Sequence, residues 1–222
     1  MNRNLFAWSI LFLFLLTLAI GTNVFANPIP INVGDEIILE DGPGFNAIIS
    51  AGMGGAYNAY SPDDSWDDFI TFCLEIDEHV NFGGTFLVGN ITTFADRGGQ
   101  NTDGGDELSP FTAYLYTQAL NPAFNPNLLD DVQFAIWHEE EEITLSDTGL
   151  DFYNQQKSNF EASGWTGLRN VRVINLTDAK GNYRQDLLVT TAPVPEPATM
   201  LLLGTGLIGL AGFGRKKLIK KS

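Results

Sequence analysis

Two uncharged apolar runs, one near each end, constrain this 222-residue chain more than anything between them. Leu5 to Ile20 follows the basic Arg3, and Leu201 to Phe213 precedes Gly214-Arg215-Lys216-Lys217. The first run falls short of the ~20 residues that a spanning helix needs. It leads into Gly21-Thr22-Asn23-Val24-Phe25-Ala26, which supplies the small residues of a cleavage site after Ala26. A basic start, an apolar centre and small residues at the cut make a secretory signal. Residues 1–26 are therefore expected to be a signal peptide and to take no part in the fold, leaving 27–191 as an extracellular domain.

At the other end the order is Pro195-Glu196-Pro197, then a short Gly-rich apolar segment, 198–213, then the basic stop Arg215, Lys216 and Lys217. The prolines block continuation of upstream structure. The basic cluster keeps the end of this expected transmembrane segment on the cytoplasmic side. All three parts of residues 192–222 resemble the PEP-CTERM sorting signal. That resemblance implies an exosortase-type processing enzyme as partner and only a transient stay in the inner membrane. It further implies removal of the tail and delivery to the cell surface or the exopolysaccharide matrix of a Gram-negative cell.

Between the ends the chain is strongly acidic. Residues 27–197 hold six Lys or Arg against all 27 Asp and Glu, a net charge of −21. Such a surface repels polyanions, so nucleic acid is not expected as a partner. The length suits one domain that can bury a core without disulfide staples. The single cysteine, Cys73, has no internal partner for a disulfide, and in an exported protein a leftover cysteine calls for an explanation.

Short apolar or alternating runs broken by Gly, Asn and Asp predict strands at 36–39, 45–50, 56–60, 69–76 and 85–93. Asp96 to Glu107 reads as a Gly/Asp-rich loop. Helical spacing follows at 108–119, with Ser109-Pro110 as cap and first position, then at 127–140, and more weakly at 149–162. A hairpin is expected from Val171–Leu176 and Asp186–Thr191. A helical block set between strand-rich blocks gives the α+β class, expected as a β-sandwich or partial barrel with an inserted helical block.

In the expected strand Phe69 to Ile76, alternation sends Ile70, Phe72, Leu74 and Ile76 to one face and Thr71, Cys73 and Glu75 to the other. On the second helix Gln133 shares the face of Leu129, Ile136 and Trp137. An amide on an apolar stripe costs about 1–3 kcal/mol unless a partner satisfies it. Phe72-Cys73-Leu74 together with Val132-Gln133-Phe134-Ala135-Ile136-Trp137 resembles the paired motifs of the thioester domains of surface adhesins. The resemblance implies an internal crosslink with Cys73 as the sulfur and Gln133 as the carbonyl, and covalent attachment to a surface target bearing an amine or hydroxyl. Glu75, His79 and His138 are the groups that could assist the thiol. The chain departs from those adhesins in its sorting signal and in lacking a second adhesive module.

Other constellations are weaker. No family motif surrounds Cys73 to make a cysteine hydrolase with His79 or His138, and no enzyme activity is expected. His138-Glu139-Glu140-Glu141-Glu142 begins like a zinc-protease helix, but Glu142 stands where the second histidine belongs. That run reads as a solvated acidic helix end, and no metal site is expected there. Ca2+ could bind in the acidic loops 63–68 and 96–107, neither of which has EF-hand spacing, and a solvated loop is the simpler reading. No cofactor is otherwise expected. The alternative to covalent attachment is a non-reactive structural protein of the cell surface or matrix.

Overall fold

A computed structural model describes residues 28–43, 55–78, 80–96 and 105–192. The expected signal peptide, the strand at 45–50, His79, most of the loop 96–107 and the sorting segment lie outside the described residues. Among the described residues no helix is long and apolar enough to cross a membrane.

The strands are β1 (Glu36–Asp41), β2 (Ala56–Tyr60), β3 (Phe69–Phe72), β4 (Thr85–Thr92), β5 (Phe94–Ala95), β6 (Asp106–Glu107), β7 (Val171–Thr177) and β8 (Tyr183–Thr190). The helices are α1 (Pro110–Ala119), α2 (Leu129–Glu139) and α3 (Asp147–Ser163), with a 3-10 turn at Pro126–Leu128 leading into α2. Six strands form one sheet in the order β3-β2-β1-β4-β7-β8, antiparallel throughout, while β5 and β6 make a separate short pair.

The α+β class stands, but the expected sandwich does not. One sheet takes its place, with α1, α2 and α3 packed over one face where a second sheet would lie. The antiparallel sheet is not a closed barrel. The outer strands β3 and β8 approach at one end of the sheet through a single bridge between Cys73 and Leu187. Leu74 N–H donates to the Asp186 carbonyl at 3.0 Å, and the Thr71 hydroxyl to the Leu188 carbonyl at 2.6 Å.

Alternation explains why both faces of the sheet are buried. Phe72, Val171, Val173 and Leu188 pack under Phe111, Leu115, Val132 and Ile136 of the helices. Ile37, Leu39, Phe86, Ile174, Leu176, Leu187 and Val189 point the other way and form a second core that also contains Cys73 and Trp137. The helix limits follow from local chemistry. Ser109 Oγ accepts the Thr112 N–H at 3.0 Å and caps α1, with Pro110 in the first turn. Helix α3 ends on Gly164 with φ of 66°, a left-handed stop that glycine adopts without strain. Strand β3 ends at Phe72 rather than running to Ile76, because from Cys73 onward the chain turns to meet β8.

Candidate functional site

Cys73 and Gln133, 60 residues apart in the chain, are brought into direct contact. Cys73 sits just past β3 with 1 % of its surface exposed, and Gln133, midway along α2, is fully buried. The Cys73 N–H donates to Gln133 Oε1 at 3.0 Å, and Gln133 Nε2 donates to the Cys73 carbonyl at 2.8 Å. The amide expected to need a partner therefore finds one in the main chain of the cysteine. Helical spacing places it there: Leu129, Val132 and Ile136 fasten α2 to the helix-side core, and Trp137, one turn beyond Gln133, enters the second core beside Cys73.

Alternation correctly sends Cys73 away from Phe72 and Leu74, but the opposite face is not exposed. It is the second core, where Cys73 is clustered with Tyr57, Trp66, Phe69, Leu187 and Val189. Burial pushes the thiol up, and the Tyr57 hydroxyl, hydrogen-bonded to it, pulls it partly back. The Tyr57 phenol is itself raised, first by its own burial and then by Cys73. Both groups are protonated at neutral pH and enclosed by apolar side chains.

The residues expected to assist are differently placed. Glu75 is 2 % exposed, and its carboxyl is pushed up to about 11, first by burial and then by the charges of Asp186 and Glu78. That shift disfavours the charged form, so Glu75 is poorly suited to act as a base toward the thiol. His138 Nδ1 lies 3.0 Å from the Ile143 carbonyl, and its ring meets Tyr153 edge-on at 4.8 Å, so its described contacts are with the end of α2 and with α3. His79 lies outside the described residues.

The acidic run 139–142 is not the solvated helix end that its composition suggests. Glu139 is paired with Lys157, whose Nζ lies 2.9 Å from both carboxylate oxygens. Helix α2 stops at Glu139, and Glu141 takes a positive φ of 64°, which reverses the chain so that Glu140 and Glu142 on either side of it both turn inward. Glu140 is 7 % and Glu142 6 % exposed. Glu140 Oε1 accepts the Ser109 N–H at 3.2 Å, and Glu142 Oε2 accepts the Ile76 N–H at 3.3 Å. Burial pushes the Glu140 carboxyl up to about 7, against the pull of its bonds from Thr112 and Ser109. In the acidic loop 63–68, Asp63 is occupied by its own turn, where Oδ1 accepts from the Ser61 hydroxyl and the Ser65 N–H.

The sorting residues lie outside the described fold. Residues 193–216 match the PEP-CTERM protein-sorting motif. The match takes in Pro195, Glu196 and Pro197 together with Arg215 and Lys216, and Lys217 follows it directly. The motif makes the chain an exported substrate of exosortase, anchored at its C-terminus before processing. No curated protein and no solved structure matches the chain.

One acidic residue of the interior escaped the sequence reading. Asp186 lies in β8 opposite Asn175, is 2 % exposed, and accepts the Asp96 N–H at 2.7 Å through Oδ2. Burial pushes its carboxyl up to about 7. The only sequence signal for it was a charge at the start of a strand that is otherwise apolar, Asp186-Leu187-Leu188-Val189.

Proposed function

We propose that this exosortase-sorted protein attaches covalently to a surface target through an internal thioester between Cys73 and Gln133. The observation that carries the reading is the docking of the Gln133 carboxamide on Cys73 inside a closed core. In the forming step Cys73 Sγ attacks Gln133 Cδ, the C–N bond breaks, and ammonia leaves with the thiol proton. In the attaching step a primary amine of the target attacks the same carbon. The C–S bond breaks, an amide forms, and Cys73 takes up the proton that the amine loses. A hydroxyl nucleophile gives an ester in the same way. Burial of Cys73, Gln133 and Trp137 at 1 % exposure or less supports the reading, because a stored acyl group survives only where water is kept out.

A non-reactive surface or matrix protein is the second reading. It is favoured by the pairing of Gln133 Oε1 and Nε2 with the main chain of Cys73 and by the bond between the Cys73 thiol and the Tyr57 hydroxyl. Intact mass of the full chain in detergent separates the two. The covalent reading expects a mass one ammonia below that of the sequence, a methylamine adduct at Gln133, and neither effect in Cys73→Ala. A full-mass chain whose Cys73 is alkylated once the protein is unfolded would leave the non-reactive reading.

A further inference from the structure

We infer that Glu75, Glu78 and Asp186 form a binding site for one Ca2+ ion, which ties the segment after β3 to β8 beside the Cys73–Gln133 contact. Oxygens from these three side chains all lie within 4.8 Å of one another. Ligands on one Ca2+ ion at 2.3–2.6 Å can stand up to about 5 Å apart, so this spread fits a single ion, and Mg2+ is the poorer match because it gives up its water shell reluctantly. The donors are carboxylate oxygens only, the hard set that Ca2+ selects over transition metals.

Acidic side chains gathered on a surface would mean little. Glu75 is different: it is 2 % exposed, no N–H or hydroxyl donates to Oε1 or Oε2, and its side-chain contact is with the Glu78 carboxyl of the same cluster. A buried carboxylate without donors is costly to keep, and a bound cation removes the cost. Among the described residues, the ion pairs Lys157–Glu139 and Arg184–Asp178 do not involve Glu75 or Asp186. Glu75 also lines a cavity of about 10 Å3 shared with Asp106, Glu140 and Glu142, so more negative charge adjoins the same carboxyl. Asp186 already holds the Asp96 N–H through Oδ2, which fixes its orientation toward the site.

The surrounding main chain is built to hold such an ion. The Gln185 side chain donates to the Glu75 carbonyl at 2.7 Å, and the Leu74 N–H donates to the Asp186 carbonyl at 3.0 Å, so both ligand-bearing segments are already pinned together. Cys73 is two residues before Glu75, and its bridge partner Leu187 is next to Asp186. An ion here would therefore stiffen the place where the Cys73–Leu187 bridge joins the outer strands. The site is independent of the thioester, since its ligands take no part in that bond.

The test uses the full chain in detergent, stripped of metal, with CaCl2 as the probe. Equilibrium dialysis against radioactive calcium is expected to find one ion per chain, and the melting temperature followed by tryptophan fluorescence is expected to rise by about 3–5 °C at a tenfold excess over Kd. Glu75→Gln and Asp186→Asn should each abolish both effects, while Asp63→Asn, in the acidic loop 63–68, should leave them intact. MgCl2 should give less than a tenth of the affinity. No ion bound by the wild-type chain at millimolar CaCl2 overturns the site, as does binding that survives Glu75→Gln. Because the wild-type measurement decides by itself, a variant that failed to fold would not rescue the idea.

Discussion

The side-chain amide of Gln133 is paired with the backbone of Cys73 at both of its ends, accepting from the N–H at 3.0 Å and donating to the carbonyl at 2.8 Å. Two main-chain groups at the end of β3 thus take their hydrogen bonds from a helix side chain instead of from a neighbouring strand. Gln133→Ala would strand both in the interior and leave a gap under α2. The expected loss is about 2–4 kcal/mol in the denaturant unfolding of the full chain. A loss under about 1 kcal/mol would mean that water or a rearranged backbone replaces the pair.

The pH dependence of stability has a predictable sign at Glu140. Its folded pKa, about 7, stands above the ordinary value of 4.5, so the folded state holds a proton that the unfolded state releases between those values. The stability this supplies is complete below about pH 4.5 and is lost as the pH rises to about 7. Glu140→Gln keeps an oxygen for the Ser109 N–H and removes the titration. In the presence of chelator the variant should gain on the order of 2–3 kcal/mol over the wild type at pH 8 and little at pH 4, read from unfolding curves at the two pH values. An unchanged difference between the two pH values would show that Glu140 does not titrate in this range.

Gly42 closes the end of β1 against β2, donating its N–H to the Ala56 carbonyl at 3.0 Å. A Cβ at that position would collide with the same carbonyl. Gly42→Ala is therefore expected to cost about 1–3 kcal/mol, the usual range for overpacking, and to lower the melting temperature. Gly34, where an added Cβ would meet nothing, is a control for the space argument, although its φ of 95° still strains an alanine.

Sorting should depend on the match at 193–216 and not on the folded domain. Replacing Pro195, Glu196 and Pro197 by alanine is expected to leave the chain at its unprocessed size in the membrane fraction. The Gln133→Ala and Cys73→Ala variants, provided they fold, should be processed like the wild type. Gel mobility of the membrane and surface fractions reads both outcomes.

Local pattern was enough for most of the elements. Strand β2 was expected at 56–60 and is Ala56–Tyr60, and the three helices start and stop within about three residues of their expected bounds. The hairpin of β7 and β8 was legible because apolar residues alternate on both sides of a Gly/Asn turn. What local pattern could not carry was the meeting of β3 with β8, a pairing between Cys73 and Leu187 that depends on how far a six-stranded sheet curls. The sandwich expectation failed for the same reason, since nothing in a strand says whether a helix or another sheet will cover it. Glu140 and Glu142 were misread because helical periodicity was carried past Glu139, where a positive φ at Glu141 breaks it. Within the candidate site, the need of Gln133 for a partner was legible from its apolar neighbours. The role of Asp186 was not, because its companions Glu75 and Glu78 come from a segment more than a hundred residues earlier.

The last described strand also governs how the fold meets mechanical tension. Strand β8 ends at Thr190, and the sorting match begins at residue 193, so while the chain is anchored any tug from the membrane enters through the end of β8. Ile29 is bridged in parallel to Thr191 at this point, its N–H donating to the Thr190 carbonyl at 2.8 Å, which puts the start of the domain beside the place where the load arrives. Hydrogen bonds in an antiparallel ladder run across the strands. A pull along β8 therefore shears its ladder with β7 as a block instead of unzipping it bond by bond, a geometry suited to holding a folded domain on a moving surface.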